Sequence, residues 1–126
     1  MKNLTAIEDA RRYIANAKDI LSEKAQKEDG YYQDKKYVKM AGHTAYSGVL
    51  VALDELLGAK KKGRKSVEWY QKELSNLDKK ITGSFAVTYE ILHLSLGYDG
   101  TTDAELAQLG FKRANQIIDW VETRLA

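Results

Sequence analysis

The sequence predicts an all-α protein, an antiparallel up-and-down bundle of four to five helices, on the basis of three observations. The 126 residues contain no proline, although average usage of about 5 per cent would give about six. Five segments carry apolar residues at spacings of three and four, the pattern of one buried helical face. Short breaks that contain glycine, rather than long linkers, separate these segments. Helices with short connections pack most simply as antiparallel neighbours.

The first two segments predict amphipathic helices. The first begins near Thr5, because Thr5 and Glu8 have the spacing of a capping box, and Gly30 is the expected break after it. The second spans residues 38–56 and ends before Gly58. The residues on the two apolar faces are Leu4, Ile7, Ala10, Ile14, Ala17 and Leu21 in the first helix, and Val38, Ala41, Ala45, Val49, Ala52 and Leu56 in the second.

The remaining segments predict three more helices. The third runs from an N-cap at Ser66 through residue 81, and residues 82–84 are the expected break after it. The fourth, residues 85–96, is apolar nearly all round, which is typical of a central helix, and a buried strand is the alternative. The fifth begins at Thr102, which has capping-box spacing to Glu105, and continues to the end of the chain.

Composition excludes several classes of protein. The length fits one domain, residues 1–126. The absence of cysteine excludes disulfide scaffolds, cysteine-bound zinc, iron–sulfur clusters and thiol chemistry. The first residues lack the apolar run of a secretory signal, and no stretch reaches the roughly 18 apolar residues that a membrane span requires. We therefore expect a cytoplasmic protein with no membrane association and no cofactor.

The second helix has an unusual composition of small and aromatic residues. Glycine inside a helix costs about 1 kcal/mol relative to alanine, so close helix packing is expected to compensate, and a groove over the small residues is the alternative. Tyrosine rings near the start of this helix either line an interface or pocket rim, or simply cover the end of the bundle. The candidate interface or pocket residues are Tyr31, Tyr32, Tyr37, Gly42, His43, Tyr46 and Gly48.

Basic residues are concentrated in two places. Residues 60–65 contain a run of lysines and an arginine, and further lysines lie among the tyrosines of residues 31–39. The run is either a solvated loop or a site for phosphates or an acidic partner. The candidate polyanion-binding residues are Lys35, Lys36, Lys39, Lys60, Lys61, Lys62, Arg64 and Lys65. The net charge of only +2 argues against a globally basic nucleic-acid binder.

Motifs for catalysis are weak, so we predict no catalytic residues and no enzymatic activity. The chain lacks a glycine-rich phosphate loop and a serine nucleophile motif. Glu90 and His93 have the Glu-x-x-His spacing that forms half of a di-iron signature, but Met40 replaces the glutamate that would precede His43. A single metal site at Glu90, His93 and His43 is a minor alternative to a partly buried His93 beside a solvent-exposed Glu90.

Residues 37–50, Tyr-Val-Lys-Met-Ala-Gly-His-Thr-Ala-Tyr-Ser-Gly-Val-Leu, resemble the second helix of HEPN-type (higher eukaryotes and prokaryotes nucleotide-binding) domains. They are also similar to the substrate-binding bundles that accompany minimal nucleotidyltransferases. The resemblance implies an antiparallel bundle with a nucleotide or RNA partner. Ribonuclease members carry an arginine followed, after four to six residues, by a histidine. Neither His43 nor His93 has that arginine, and Lys36 lacks its planar fork, so the resemblance implies a member without nuclease activity.

The chain also looks like the uncharacterised small-domain families of Bacteroidetes. Together these observations predict a non-enzymatic bacterial binding module. We expect it to form a homo-oligomer or to dock a protein partner through the second helix. Binding of a nucleotide or RNA is the alternative.

Overall fold

The computed structural model describes residues 4–58 and 65–126, and it confirms the all-α antiparallel bundle. A π-helix continues the fourth helix without a break, and two short strands lie between the first two helices. The elements are α1 (Thr5–Lys24), β1 (Lys27–Glu28), β2 (Tyr31–Tyr32), α2 (Lys35–Leu57), α3 (Val67–Ser75), α4 (Lys79–Thr88), the π-helix (Tyr89–Tyr98) and α5 (Ala104–Leu125). No helix in these described ranges is long and apolar enough to cross a membrane.

The glycines of α2 allow two helices to approach its backbone closely. A Cβ atom at Gly48 would lie 2.7 Å from Tyr13 Cβ and 2.9 Å from the carbonyl oxygen of Ala10 in α1. A Cβ atom at Gly42 would lie 2.6 Å from the carbonyl oxygen of Leu92 in the π-helix. Neighbouring helices therefore cover both glycines, which confirms close packing, and no groove lies over them.

A β-hairpin joins α1 to α2, where only a break at Gly30 was predicted. Asp29 and Gly30 have φ angles of 52° and 83°, and a type I′ turn requires positive φ at both central residues. The backbone N–H of Tyr32 donates to the carbonyl oxygen of Thr102 at 2.8 Å, which ties the hairpin to the segment before α5. The Asp-Gly pair was the sequence signal for this turn.

The break between the third and fourth helices lies earlier than predicted. The side chain of Asp78 accepts hydrogen bonds from the backbone N–H groups of Lys80 at 2.8 Å and Ile81 at 3.3 Å, and so caps α4. The prediction of a break at residues 82–84 is wrong, because the cap at Asp78 starts a new helix that includes Gly83.

The other helix starts show how local hydrogen bonds select the cap. Ser66 caps α3 as predicted, with its Oγ accepting from the N–H of Trp69 at 3.1 Å. Asp103 caps α5 instead of the predicted Thr102, since its carboxylate accepts from the N–H of Glu105 at 2.9 Å. The first helix has Leu4 at the N-cap rather than Thr5.

The segment predicted to be the central helix, residues 85–96, is helical, and its last eight residues belong to the π-helix. Such helices have i→i+5 hydrogen bonds and usually occur as single turns, whereas this one extends over ten residues. Leu92 and Leu96 are fully buried, within the single hydrophobic core cluster of the described residues. The same helix places Tyr89 and His93 against α2.

Candidate functional site

A row of aromatic rings runs along the contact between α2 and the π-helix. The ring centroids of Tyr46 and His93 are 4.8 Å apart, and Tyr89 stacks on His93 at 5.2 Å with an interplanar angle of 29°. His43, almost one turn before Tyr46, lies 5.5 Å from His93 and 5.9 Å from Tyr98. The two helices therefore present five rings as one continuous row.

A cavity of about 390 Å³ adjoins this row, between α2, the start of α3 and the π-helix. We call it the aromatic cavity. It combines three rings, two aliphatic side chains and three polar side chains. The lining residues are Tyr46, Tyr70, His93, Leu50, Val67, Asp54, Lys65 and Ser66. The volume falls in the range of about 300–1,000 Å³ that is typical of small-molecule sites.

An ion pair and a tyrosine form the polar part of the cavity wall. The hydroxyl of Tyr70 donates to Asp54 Oδ1 at 2.7 Å, and Lys65 Nζ lies 3.3 Å from the same oxygen. The Lys65 side chain is only 7% exposed, and its ammonium also lies over the ring of Trp69 at 5.7 Å. Burying an ammonium is costly unless it is paired, so the carboxylate of Asp54 compensates the charge of Lys65.

The two tyrosines of the cavity hold their protons strongly. Burial raises the pKa of Tyr46, and the neighbouring Tyr89 adds to this effect. Burial also raises the pKa of Tyr70, followed by its hydrogen bond to Asp54 and the negative charge of that carboxylate. Both phenols are therefore protonated at neutral pH, because burial and nearby negative charge disfavour the phenolate.

The structure does not form the metal site that was the minor alternative. Within residues 4–58 and 65–126, no group of three or more His, Cys, Asp or Glu side chains could hold a metal ion. Glu90 is exposed, whereas His93 is half-buried in the ring row beside His43. The arrangement is therefore one of rings packed mostly edge-to-face or tilted, rather than of converging metal ligands.

The structure separates the candidate interface residues. His43 and Tyr46 join the ring row, but Gly42 and Gly48 lie inside the bundle and cannot contact a partner. The tyrosines before and at the start of α2 lie elsewhere: Tyr31 is exposed on the hairpin, Tyr32 is buried, and Tyr37 is half-buried beneath Lys24 and Lys36.

The basic candidates do not form one surface either. Lys35, Lys36 and Lys39 are exposed in the first turns of α2, whereas the side chain of Lys65 is buried beside Asp54 near the opposite end. Asp54 follows Lys35 by nineteen positions in the helix, a separation of about 28 Å. The other basic candidates, Lys60, Lys61, Lys62 and Arg64, lie outside the described residues.

Most of the cavity residues were not predicted to be site residues. Leu50 and Asp54 follow Tyr46 at intervals of four, so this spacing alone indicates that the three residues share one face of α2. Val67 and Tyr70 lie within the predicted third helix, and the approach of that helix to Asp54 depends on the tertiary fold.

The fold and this cavity define a small all-α domain with an aromatic, internally charge-compensated pocket. The chain belongs to the family described as a domain of unknown function (DUF5618), whose family model matches residues 5–123. It is similar to the solved structure of a protein of unknown function from Dyadobacter fermentans, with 57% identity over 100% of both chains and a TM-score of 0.92. No curated protein matches the chain. These comparisons agree with an uncharacterised small-domain family and do not show the resemblance to HEPN domains.

Proposed function

We propose that this chain is a non-enzymatic binding module and that the aromatic cavity is its binding site. The observation that carries the proposal is the cavity itself, which joins rings from α2, α3 and the π-helix to polar groups in about 390 Å³. Ligand sites are typically concave and mostly apolar, with a few polar groups that orient the ligand. The cavity has this composition.

The π-helix supports the same site. Segments with i→i+5 hydrogen bonds are rare and frequently occur at functional sites. In this chain the π-helix brings His93 to the wall of the cavity and stacks Tyr89 on it. A long π-helix at the edge of a cavity favours a role in binding over a role in packing alone.

The second helix remains the proposed binding element, but the proposed site lies in its second half. Tyr46, Leu50 and Asp54 lie at intervals of four on α2 and reach the cavity together. The glycines and the tyrosines near the start of α2 are not part of the proposed site.

Filling the cavity tests the proposal. Leu50→Trp adds volume at the cavity wall, whereas Leu109→Trp adds the same volume at an exposed position on α5. Ligand-detected NMR with a fragment library of neutral, anionic and cationic compounds, both aromatic and aliphatic, measures binding. We expect fragments that bind the wild-type protein and the Leu109→Trp variant but not the Leu50→Trp variant. Equal binding by all three proteins would contradict the proposal, provided that circular dichroism shows all three to be folded.

Self-association through a second copy of the chain is a second candidate, favoured by one exposed patch. Met40 is 45% exposed and Tyr98 is 62% exposed, and both lie next to the exposed His43. Neither Met40 nor Tyr98 carries a charge, so two copies of the patch would not repel each other through them. Sedimentation equilibrium should give a dimer for the wild-type protein and a monomer for Tyr98→Ser. A monomeric wild-type protein would contradict this candidate.

Nucleotide or RNA binding has less support, because the described basic candidates lie at opposite ends of α2 and Lys65 is paired.

A further inference from the structure

We propose that the ligand of the aromatic cavity is a neutral, planar aromatic compound with a hydrogen-bond donor and an acceptor side by side, as in an aromatic carboxamide. This inference rests on the proposed function. It names the chemical class that the wall of the cavity would recognise.

The rings of the wall favour a planar ligand. Tyr46, Tyr70 and His93 come from three different helices and line one space. Rings pack in offset or edge-to-face arrangements with centroids about 4.5–7 Å apart, the separation already seen between Tyr46 and His93 at 4.8 Å. A planar ring inserted beside them extends the row, whereas a saturated ring of the same size gains no such contact.

The ion pair favours a neutral ligand. Lys65 would attract an anion, but Asp54 lies 3.3 Å from its ammonium and would repel the same anion. The opposite holds for a cation. Neither charged ligand would find an uncompensated partner, and each would lose its hydration on entering the cavity.

The atoms of the ion pair offer one acceptor and one donor next to each other. Both contacts of Asp54 are to Oδ1, so among the described residues Oδ2 has no partner, and the side chain is 34% exposed. The ammonium of Lys65 has three N–H groups to donate, and its nitrogen lies 3.3 Å from Oδ1 of Asp54. A primary carboxamide donates from its NH₂ group to Oδ2 and accepts at its carbonyl oxygen from Lys65.

Four small probes separate the features of this proposal: benzamide, benzoate, benzylamine and cyclohexanecarboxamide. Their dissociation constants for the wild-type full chain are measured by ligand-detected NMR. We expect benzamide to bind about tenfold more tightly than each of the others, because each of them loses one hydrogen bond, the neutral charge or the planar ring.

Lys65→Met supplies the matched variant, because methionine keeps the apolar stem and removes the ammonium. The variant lacks the hydrogen-bond donor, and the negative charge of Asp54 is no longer compensated. The affinity for benzamide should therefore fall by about tenfold, whereas the affinity for benzylamine should rise. Lys112→Met, at an exposed position on α5, is the control and should leave all four constants unchanged. If Lys65→Met does not fold, the order of the four dissociation constants for the wild-type protein tests the proposed ligand class.

The outcomes separate the two proposals. If the wild-type protein binds benzoate or benzylamine more tightly than benzamide, the proposal of a neutral ligand is wrong. If it binds cyclohexanecarboxamide as tightly as benzamide, the proposal of a planar ligand is wrong. In both cases the proposed function stands if Leu50→Trp abolishes the binding. Fragment hits that Leu50→Trp does not affect, or no hits at all, would overturn the function and the ligand class together.

Discussion

Replacing Gly42 with alanine tests the close approach of α2 to the π-helix. A Cβ atom there would lie 2.6 Å from the carbonyl oxygen of Leu92, 2.7 Å from the nitrogen of Gly97 and 2.7 Å from Leu96 Cβ. Two of these atoms belong to the backbone and the third is bonded to it, so side-chain rotation cannot relieve the overlap. Overpacking costs about 1–3 kcal/mol or more, and alanine regains about 1 kcal/mol of helix propensity. We expect the free energy of unfolding to fall by about 2 kcal/mol.

Gly83→Ala is the matched control for this prediction. Gly83 also lies inside a helix, but no atom of a neighbouring element lies within 4 Å of the position of its Cβ. Alanine should therefore stabilise the protein by about 0.5–1 kcal/mol. Urea unfolding followed by circular dichroism measures both effects, and the midpoint for Gly42→Ala should fall by about 1 M at an unchanged m-value. An equal or higher midpoint for Gly42→Ala would refute the close approach.

Two further predictions concern proton binding and helix capping. The pKa values of Tyr46 and Tyr70 are raised above the ordinary value of 10.0, so the unfolded chain releases these protons first and stability falls as the pH rises above 10. Near-ultraviolet titration above pH 10 should therefore count fewer tyrosinates in the folded protein than in urea, and equal counts would contradict the burial. Asp78→Ala removes two hydrogen bonds at the start of α4 and a long 3.9 Å ion pair with Arg124, and the lost cap should cost about 1 kcal/mol in urea unfolding. The control Asp9→Ala removes only an exposed pair with Arg12 and should cost less than about 0.5 kcal/mol, so equal losses would contradict the cap.

The long helices were predictable because their burial follows a simple period. Every third or fourth residue of α1 is apolar, and Ile7, Ile14 and Leu21 are buried as this spacing predicts. Close packing at Gly42 and Gly48 was also predictable, since both lie among other small residues of α2, which leave little side chain between this helix and its neighbours; the isolated Gly83 of α4 has no such contact. These features depend on residues near one another in the chain.

Helix boundaries were less predictable because several residues compete for the same hydrogen bonds. The apolar spacing continues from Tyr70 through Leu77 to Ile81, yet the cap at Asp78 interrupts the helix. Similarly, Asp103 accepts the N–H group that the capping-box pattern assigned to Thr102. Periodicity identifies a buried face, but it does not rank the competing caps.

The sequence by itself determined the fold class, the long amphipathic helices and the small-residue contacts of α2, because each follows from local spacing and side-chain size. The residues that form the aromatic cavity were decided only by the tertiary structure. Asp54 lies in α2, which ends at Leu57, whereas Lys65 and Tyr70 lie beyond that end, so no helical period relates them. The π-helix was decided in the same way, since a segment that is apolar on nearly every side has no preferred face, and its neighbours select the register that brings His93 to Tyr46.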